Sequence, residues 1–228
     1  MEIIVITSFP ELFPGPLSYS LVGKALKRNL WSLKIINIRD YGIGKHKKID
    51  DTMYGGGPGL ILRPDVLERA IEENNLDKTH IYYPSPRGKV FSQKYAMEIS
   101  KKQKISFLCG RFEGVDERVI RHYNAEEISI GDYVLSNGEL ACFVILDSVI
   151  RLLPGVIGNN LSLENDSFSL NYEGKELLEY PLYTRPAKWK DNIVPSVLLS
   201  GNDKKISEWK KNESIKITKK FRPELFEK

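Results

Sequence analysis

Three short stretches of this chain set glycine among polar residues directly after a β-branched run. They are SPRG (85–88) after HIYYP, GRFEGVDER (110–118) after ISFLC, and GDYVLSNGE (131–139) after EISI. Glycine lets a backbone approach a ligand closely and offer its N–H and C=O groups in place of side chains. That chemistry suits a neutral edge such as adenine, and it suits a triphosphate less, because none of the three loops brings a lysine. A fourth loop, DDTMYGGGPGL (50–60), lies beside Lys45, Lys47 and Lys48. It reads as a shaped surface for substrate backbone or base, and more plainly as a flexible surface insertion.

Other chemistries lack their residues. There is no G-x-x-x-x-G-K-[ST] phosphate loop, and VITSFPELF, where a dinucleotide fingerprint would follow the first strand, has no glycine. His46, His80 and His122 are scattered without a cysteine or second histidine at metal-ligand spacing, so no metal set is indicated, although a divalent ion as helper stays open. Cys109 and Cys142 make no disulfide framework and read as small buried apolar residues in a reducing, cytoplasmic setting. The opening run MEIIVITSF is too short to span a bilayer and lacks a basic flank, so neither signal peptide nor anchor is expected.

The elements that would carry these loops alternate. Strand-like runs fall at 3–7, 33–39, 80–84, 105–109 and 127–130, with helical patterns near 17–30, 64–74, 92–102 and 115–123. Pro64-Asp65 supplies a helix start and Ser92 a cap. Alternation of this kind predicts an α/β domain on a mainly parallel sheet, whose ligands bind outside the carboxyl ends of strands. The helix expected at about 139–153 is apolar on nearly every side, which predicts deep packing or a subunit interface. Residues 155–176, rich in Gly, Asn and Ser, read as a mobile linker. The end is helical in pattern, with Ile206, Trp209, Ile217 and Phe221 spaced among lysines.

Charge separates the two parts. Residues 185–228 hold 12 Lys/Arg against 6 Asp/Glu, whereas the preceding 184 residues hold 22 against 24. The whole basic excess of the +4 chain is therefore C-terminal, which suggests a polyanionic partner; the plainer reading is a lysine-solubilised helical tail.

The motifs YGGGPG (54–59), CGRFEGVDER (109–118), SIGDYVLSNGE (129–139), RLLPGVIG (151–158), DSF (166–168), YTRP (183–186) and VLLSGN (197–202) occur in this order. Together they resemble, from end to end, the bacterial tRNA (guanine-N1)-methyltransferases, the TrmD family of the SPOUT superfamily. The resemblance implies a deep trefoil knot in the α/β domain (residues 1–158), a flexible linker (159–170) carrying Asp166, and a small, all-helical, basic tRNA-binding domain (171–228). It implies a homodimer whose active site is shared between subunits, and methyl transfer from S-adenosylmethionine to N1 of the guanine just 3′ of the anticodon, position 37.

Residue by residue, the resemblance assigns Ser85, Pro86, Gly110, Glu113, Ile130, Gly131, Asp132, Tyr133, Val134, Leu135 and Gly138 to the cofactor. Asp50, Tyr54, Gly55, Gly56, Gly57, Pro58, Gly59 and Arg185 fall to the substrate. Asp166 becomes the general base and Arg151 the cation that offsets charge on the guanine or holds it; by pattern alone they are a loop carboxylate or helix cap and a cation near a helix C-terminus. The linker would order when tRNA arrives. Two alternatives stay open: a knotted ribose 2′-O-methyltransferase, and a tRNA-binding protein without catalysis. The chain departs from the family pattern in three places. Asn137 stands where the pattern has glycine, which implies a strained positive φ. The stretch between DSF and YTRP is long, and Glu179 stands where an aspartate is usual.

Overall fold

The computed structural model describes residues 1–158, 163 and 165–226. It divides into two compact units, Met1–Gly158 and Asn159–Lys228. Part of the stretch read as a linker, residues 159–162 and 164, lies outside the described residues.

In the first unit the strands are β1 (Glu2–Thr7), β2 (Ser32–Asn37), β3 (Asp50–Thr52), β4 (Leu60–Leu62), β5 (Ile81–Val90), β6 (Lys104–Leu108) and β7 (Glu126–Ser129). The helices are α1 (Ser20–Lys27), α2 (Pro64–Glu72), α3 (Gln93–Ser100), α4 (Glu117–His122) and α5 (Gly138–Ile150). Five strands form one sheet in the order β2-β1-β6-β5-β7, and every pairing is parallel. The interior strand β1 reads EIIVIT because a parallel strand covered on both faces needs apolar residues at successive positions. Ile3 and Val5 pack into a cluster with α1, α3 and α5, while Ile4 and Ile6 pack into a second cluster with α2 and α4. Each such side chain, fully buried, contributes about 1.5–3 kcal/mol.

Local chemistry sets the helix ends. Pro64 occupies the first turn of α2, the Ser92 hydroxyl accepts the Tyr95 N–H at 3.2 Å to cap α3, and Asp116 accepts the Arg118 N–H at 2.9 Å to cap α4. The helix read over 17–30 is shorter than its pattern. A 3₁₀ turn takes Gly15–Ser18, and Asn29, in the left-handed region at φ 57°, closes the other end as Leu30 N–H bonds to the Ala25 carbonyl at 3.0 Å. The β3–β4 hairpin has no counterpart in the sequence reading, because three-residue strands around a glycine loop carry no clear alternation.

The second unit holds β8 (Leu170–Tyr172), β9 (Lys175–Leu177), β10 (Lys188–Trp189), β11 (Asn192–Ile193), α6 (Ser196–Leu199) and α7 (Asp203–Phe221). Where an all-helical domain was expected, β8–β9 and β10–β11 form two short antiparallel hairpins. The first overlaps the end of the stretch, 155–176, read as mobile linker. Its turn residues Glu173 and Gly174 both have positive φ, 51° and 82°, as a two-residue hairpin turn requires. The apolar stripe expected on α7 also differs: Phe221 is exposed, whereas Ser214 and Thr218 are buried beside Leu177 and Leu225. The Thr218 hydroxyl donates to the Ser214 carbonyl at 2.7 Å and accepts Leu178 N–H at 2.9 Å, so polar residues can fill that position.

Candidate active site

The sheet order places β6, β5 and β7 side by side, so the loops that leave β6 and β7 and the glycine-containing bulge within β5 enclose one cavity of about 240 Å³, although the first of the three was expected at a strand end. Each loop is shaped for a local reason. β5 pairs with β7 as far as Pro84↔Ile128 and resumes at Lys89↔Ile128, which extrudes Ser85 to Gly88 from the ladder. Pro84 and Pro86 have no N–H to give it. The Ser85 hydroxyl accepts Arg87 N–H at 3.2 Å, and the Arg87 guanidinium reaches Glu117 at 2.9 Å and Glu127 at 3.0 Å, which ties the bulge down.

The second loop, after β6, leaves Cys109 for Gly110 and wraps the Tyr83 ring. A Cβ on Gly110 would stand 2.8 Å from that ring, and one on Gly114, at φ 113°, would stand 2.8 Å from its hydroxyl. Burial pushes the Tyr83 phenol above its usual range, so it stays protonated, hydrogen-bonded to the Val115 backbone. The Arg111 guanidinium stacks 4.0 Å from the centre of the Phe9 ring.

The third loop, after β7, turns at Gly131. Its φ of 143° and the Tyr133 ring, 2.6 Å from where a Cβ would be, both exclude a side chain. It ends where α5 begins. The Gly138 N–H donates to the Gly110 carbonyl at 2.9 Å, and Asn137 bridges to Arg111. The family-pattern departure at Asn137 therefore costs no strain, contrary to expectation: its φ is −161°, extended backbone open to any residue. Below this junction Glu139, fully buried in the first turn of α5, accepts a 2.5 Å hydrogen bond from the Thr7 hydroxyl at the end of β1. The carboxylate sits where the helix N-terminus favours negative charge and anchors α5 to β1.

The cavity brings together Ser85, Pro86, Gly110, Glu113, Ile130, Gly131, Tyr133, Val134, Leu135 and Gly138. Asp132, expected with them, is exposed and lies outside the lining. Tyr83, Arg111, Phe112, Gly114 and Asn137 line it without having been picked out. For Tyr83 a signal existed, since a strand entering a ligand loop at Ser85 points the residue two before it the same way.

The candidate substrate loop runs between β3 and β4. Asp50 is in β3, paired opposite Leu62, while Tyr54 is almost wholly exposed at the tip, and Gly55, Gly56, Gly57 and Gly59 all have positive φ. Pro58 lies between the last two. The hairpin is bonded to the cavity's second loop: Glu113 N–H donates to Leu60 O at 2.9 Å, and Leu62 N–H to Gly114 O at 3.0 Å. A Cβ on Gly59 would meet the Glu113 side chain at 2.6 Å, so the two loops abut. Arg63 pairs with Asp51 at 2.8 Å and Asp65 at 2.9 Å, lowering both carboxyls; for Asp51 the Lys48 ammonium acts first.

Arg151 is the C-cap of α5, half-buried, with its N–H on the Asp147 carbonyl at 3.2 Å. Asp166 and Arg185 belong to the second unit, the first half-buried and the second exposed. Among the described residues no group of three or more His, Cys, Asp or Glu could hold a metal ion, and no helix is long and apolar enough to cross a membrane.

A family model described as tRNA (Guanine-1)-methyltransferase TrmD matches residues 1–228. The chain is 57% identical over 223 residues to the tRNA (guanine-N(1)-)-methyltransferase of Rickettsia akari (strain Hartford), covering 97% of this chain and 95% of the relative. It is 55% identical over 228 residues to the protein of the same name in Rickettsia prowazekii (strain Madrid E), covering 99% and 97%. With that of Pelagibacter ubique (strain HTCC1062) it shares 50% over 224 residues, covering 98% and 96%. With the three glycine loops enclosing one cavity of the parallel sheet and likeness running the full length, the chain belongs to the TrmD family of tRNA (guanine-1)-methyltransferases.

Proposed function

We propose that this chain transfers a methyl group from S-adenosylmethionine to N1 of the guanine at position 37 of tRNA. The observation that carries the reading is the cavity between the β5 bulge and the ends of β6 and β7, walled by backbone at Gly110, Gly131 and Gly138 with one carboxylate, Glu113. Main-chain groups there suit the edge of adenine, and a carboxylate suits a ligand that carries positive charge. The donor supplies an electrophilic methyl on a sulfonium.

Guanine N1 carries a proton and is a weak nucleophile near neutral pH. Asp166 accepts that proton as the N1–methyl bond forms and the sulfur–methyl bond breaks, leaving a neutral thioether. Arg151 offsets the negative charge that develops on the guanine. The β3–β4 loop, with Tyr54 and its glycines, faces the substrate, and Arg185 and the lysines of α7 grip the anticodon stem through its backbone. The target base is unstacked to enter the site.

The SPOUT-type knot belongs to the same reading. In its support, the segment leaving β7 bonds with the loop leaving β6, two strands away in the sheet, through Gly138 and Asn137. Pairing of two chains is supported by Leu140 and Val144, apolar residues that stay about half exposed one turn apart on a helix that is mostly buried. Cytoplasmic residence follows from the substrate.

Purified protein, unmodified tRNA and methyl-labelled S-adenosylmethionine, digested to nucleosides, test the proposal. Labelled 1-methylguanosine is expected. A labelled ribose-methylated nucleoside would select the 2′-O-methyltransferase alternative, and tRNA binding without label the non-catalytic one.

A further inference from the structure

We propose that Ser167 and the β8–β9 hairpin are a positioning device that holds residues 166–169 in place before tRNA binds, so that the end of the linker carrying Asp166 does not wait for tRNA to order as the resemblance implied; the inference rests on the reading of Asp166 as the base. The residues that follow Asp166 are tied at successive points. The Ser167 hydroxyl accepts the Glu179 N–H at 2.9 Å, and Phe168 N–H donates to the Leu177 carbonyl at 2.7 Å. Ser169 N–H then donates back to the Asp166 carbonyl at 3.0 Å. Both partners, Leu177 and Glu179, lie on or just after β9, so the hairpin returns the chain alongside the aspartate that precedes it.

The anchor beneath is firm. Leu177 is buried beside Leu225, and the next residue, Leu178, gives its N–H to the buried Thr218 hydroxyl of α7 at 2.9 Å. A continuous path of hydrogen bonds therefore runs from the longest helix of this unit through β9 to Ser167. Phe168 sits at φ 68°, a left-handed conformation unfavourable for a side chain of its kind, which persists only where neighbours over-determine it. The Arg222 guanidinium lies 5.7 Å from the centre of its ring. The hairpin's own turn, Glu173-Gly174, is closed by Gly174 N–H on Asn171 Oδ1 at 3.0 Å.

A carboxylate held this way has less freedom to lose when the substrate arrives, which raises the turnover step without adding a contact to either substrate. Glu179 takes part through its backbone, so a change of its side chain from aspartate leaves the tether intact.

The test uses the full chain and three readouts. Ser167→Ala is expected to lower single-turnover methylation of tRNA by roughly three- to tenfold, the scale of one lost hydrogen bond, with the KM for tRNA and for S-adenosylmethionine unchanged within twofold. Ser167→Thr, which keeps the acceptor, is expected to restore the rate. In the tRNA-free protein, hydrogen exchange at the Phe168 and Glu179 amides is expected to be protected. Unprotected amides, or an unchanged rate in Ser167→Ala beside an inactive Asp166→Asn, would overturn the tether and leave the base standing. A fully active Asp166→Asn would instead overturn the base. Should Ser167→Ala fail to fold, Gly174→Val, which strains the turn at a distance, is expected to show the same loss of rate, and an unchanged rate there overturns the proposal.

Discussion

Gly138 and Gly110 meet backbone to backbone: the Gly138 N–H donates to the Gly110 carbonyl at 2.9 Å, and a Cβ on Gly138 would stand 2.9 Å from the Gly110 nitrogen and 3.2 Å from the Cys109 Cα. Two walls of the cavity are thus joined where no side chain fits. Gly138→Ala is expected to weaken S-adenosylmethionine binding by at least ~10-fold and to lower stability by about 1–3 kcal/mol, because backbone must move to make room. Calorimetric titration and thermal unfolding measure the two effects.

Asp166→Asn is expected to lower methylation by roughly 10²–10⁴-fold, the range for loss of a general base, with cofactor affinity unchanged. Collapse of cofactor binding in this variant would make the residue structural. Mixed dimers of Asp166→Asn with Gly138→Ala are expected to regain part of the activity, since one of their two sites would carry both intact parts. Activity no better than either parent would place each site within one chain.

Tyr83→Leu is expected to damage the site more than Tyr83→Phe. The phenylalanine variant loses only the hydroxyl bond to the Val115 backbone, about 1 kcal/mol. The leucine variant also removes the ring against which Gly110 and Gly114 are packed. Cofactor titration is expected to show a loss of less than ~10-fold for the first and a larger loss for the second.

Acid should loosen the first unit through Asp116. The Arg118 guanidinium, followed by the Arg118 backbone N–H, holds this carboxyl below its usual range. A carboxyl depressed in the folded state adds stability that is present above its unfolded value, about 4, and is lost as pH falls through the folded value. Thermal midpoints of the wild type are expected to fall between pH ~5 and ~3, and Asp116→Asn to be less stable at neutral pH but flatter across that interval. A parallel pair of curves would show that Asp116 carries none of the slope.

Much of the sheet was legible because buried parallel strands advertise themselves. Runs such as IIVIT and ISFLC are apolar without interruption, and each became a strand within a residue or two of its reading. The loops were legible as glycine after strand-like runs, and one shared pocket followed from that; the strand order that makes the pocket was not legible, since nothing local in β5, β6 or β7 states that they are neighbours. The hairpins β3–β4 and β8–β9 were missed because three residues are too few to establish a period of two, and the second was hidden in a segment whose Asn, Ser and Gly read as linker. Asn137 was misjudged for a related reason: the resemblance implied glycine, and with it a positive φ, while only the backbone shows that φ is negative. Glu139 stood in plain view in SNGE, but its partner Thr7 lies 132 residues away.

The strand that anchors the sheet also sets its timetable. β1 pairs with β2 thirty residues on, but its other edge waits for β6, with Ile3 opposite Ile105. At roughly 5–20 residues per second, several seconds of synthesis separate the two. Throughout that interval a nascent chain carries an apolar strand with an unsatisfied edge, the kind of template that recruits other chains. Production of this enzyme should therefore be limited less by the stability of the finished fold than by how well the cell shields its first hundred residues.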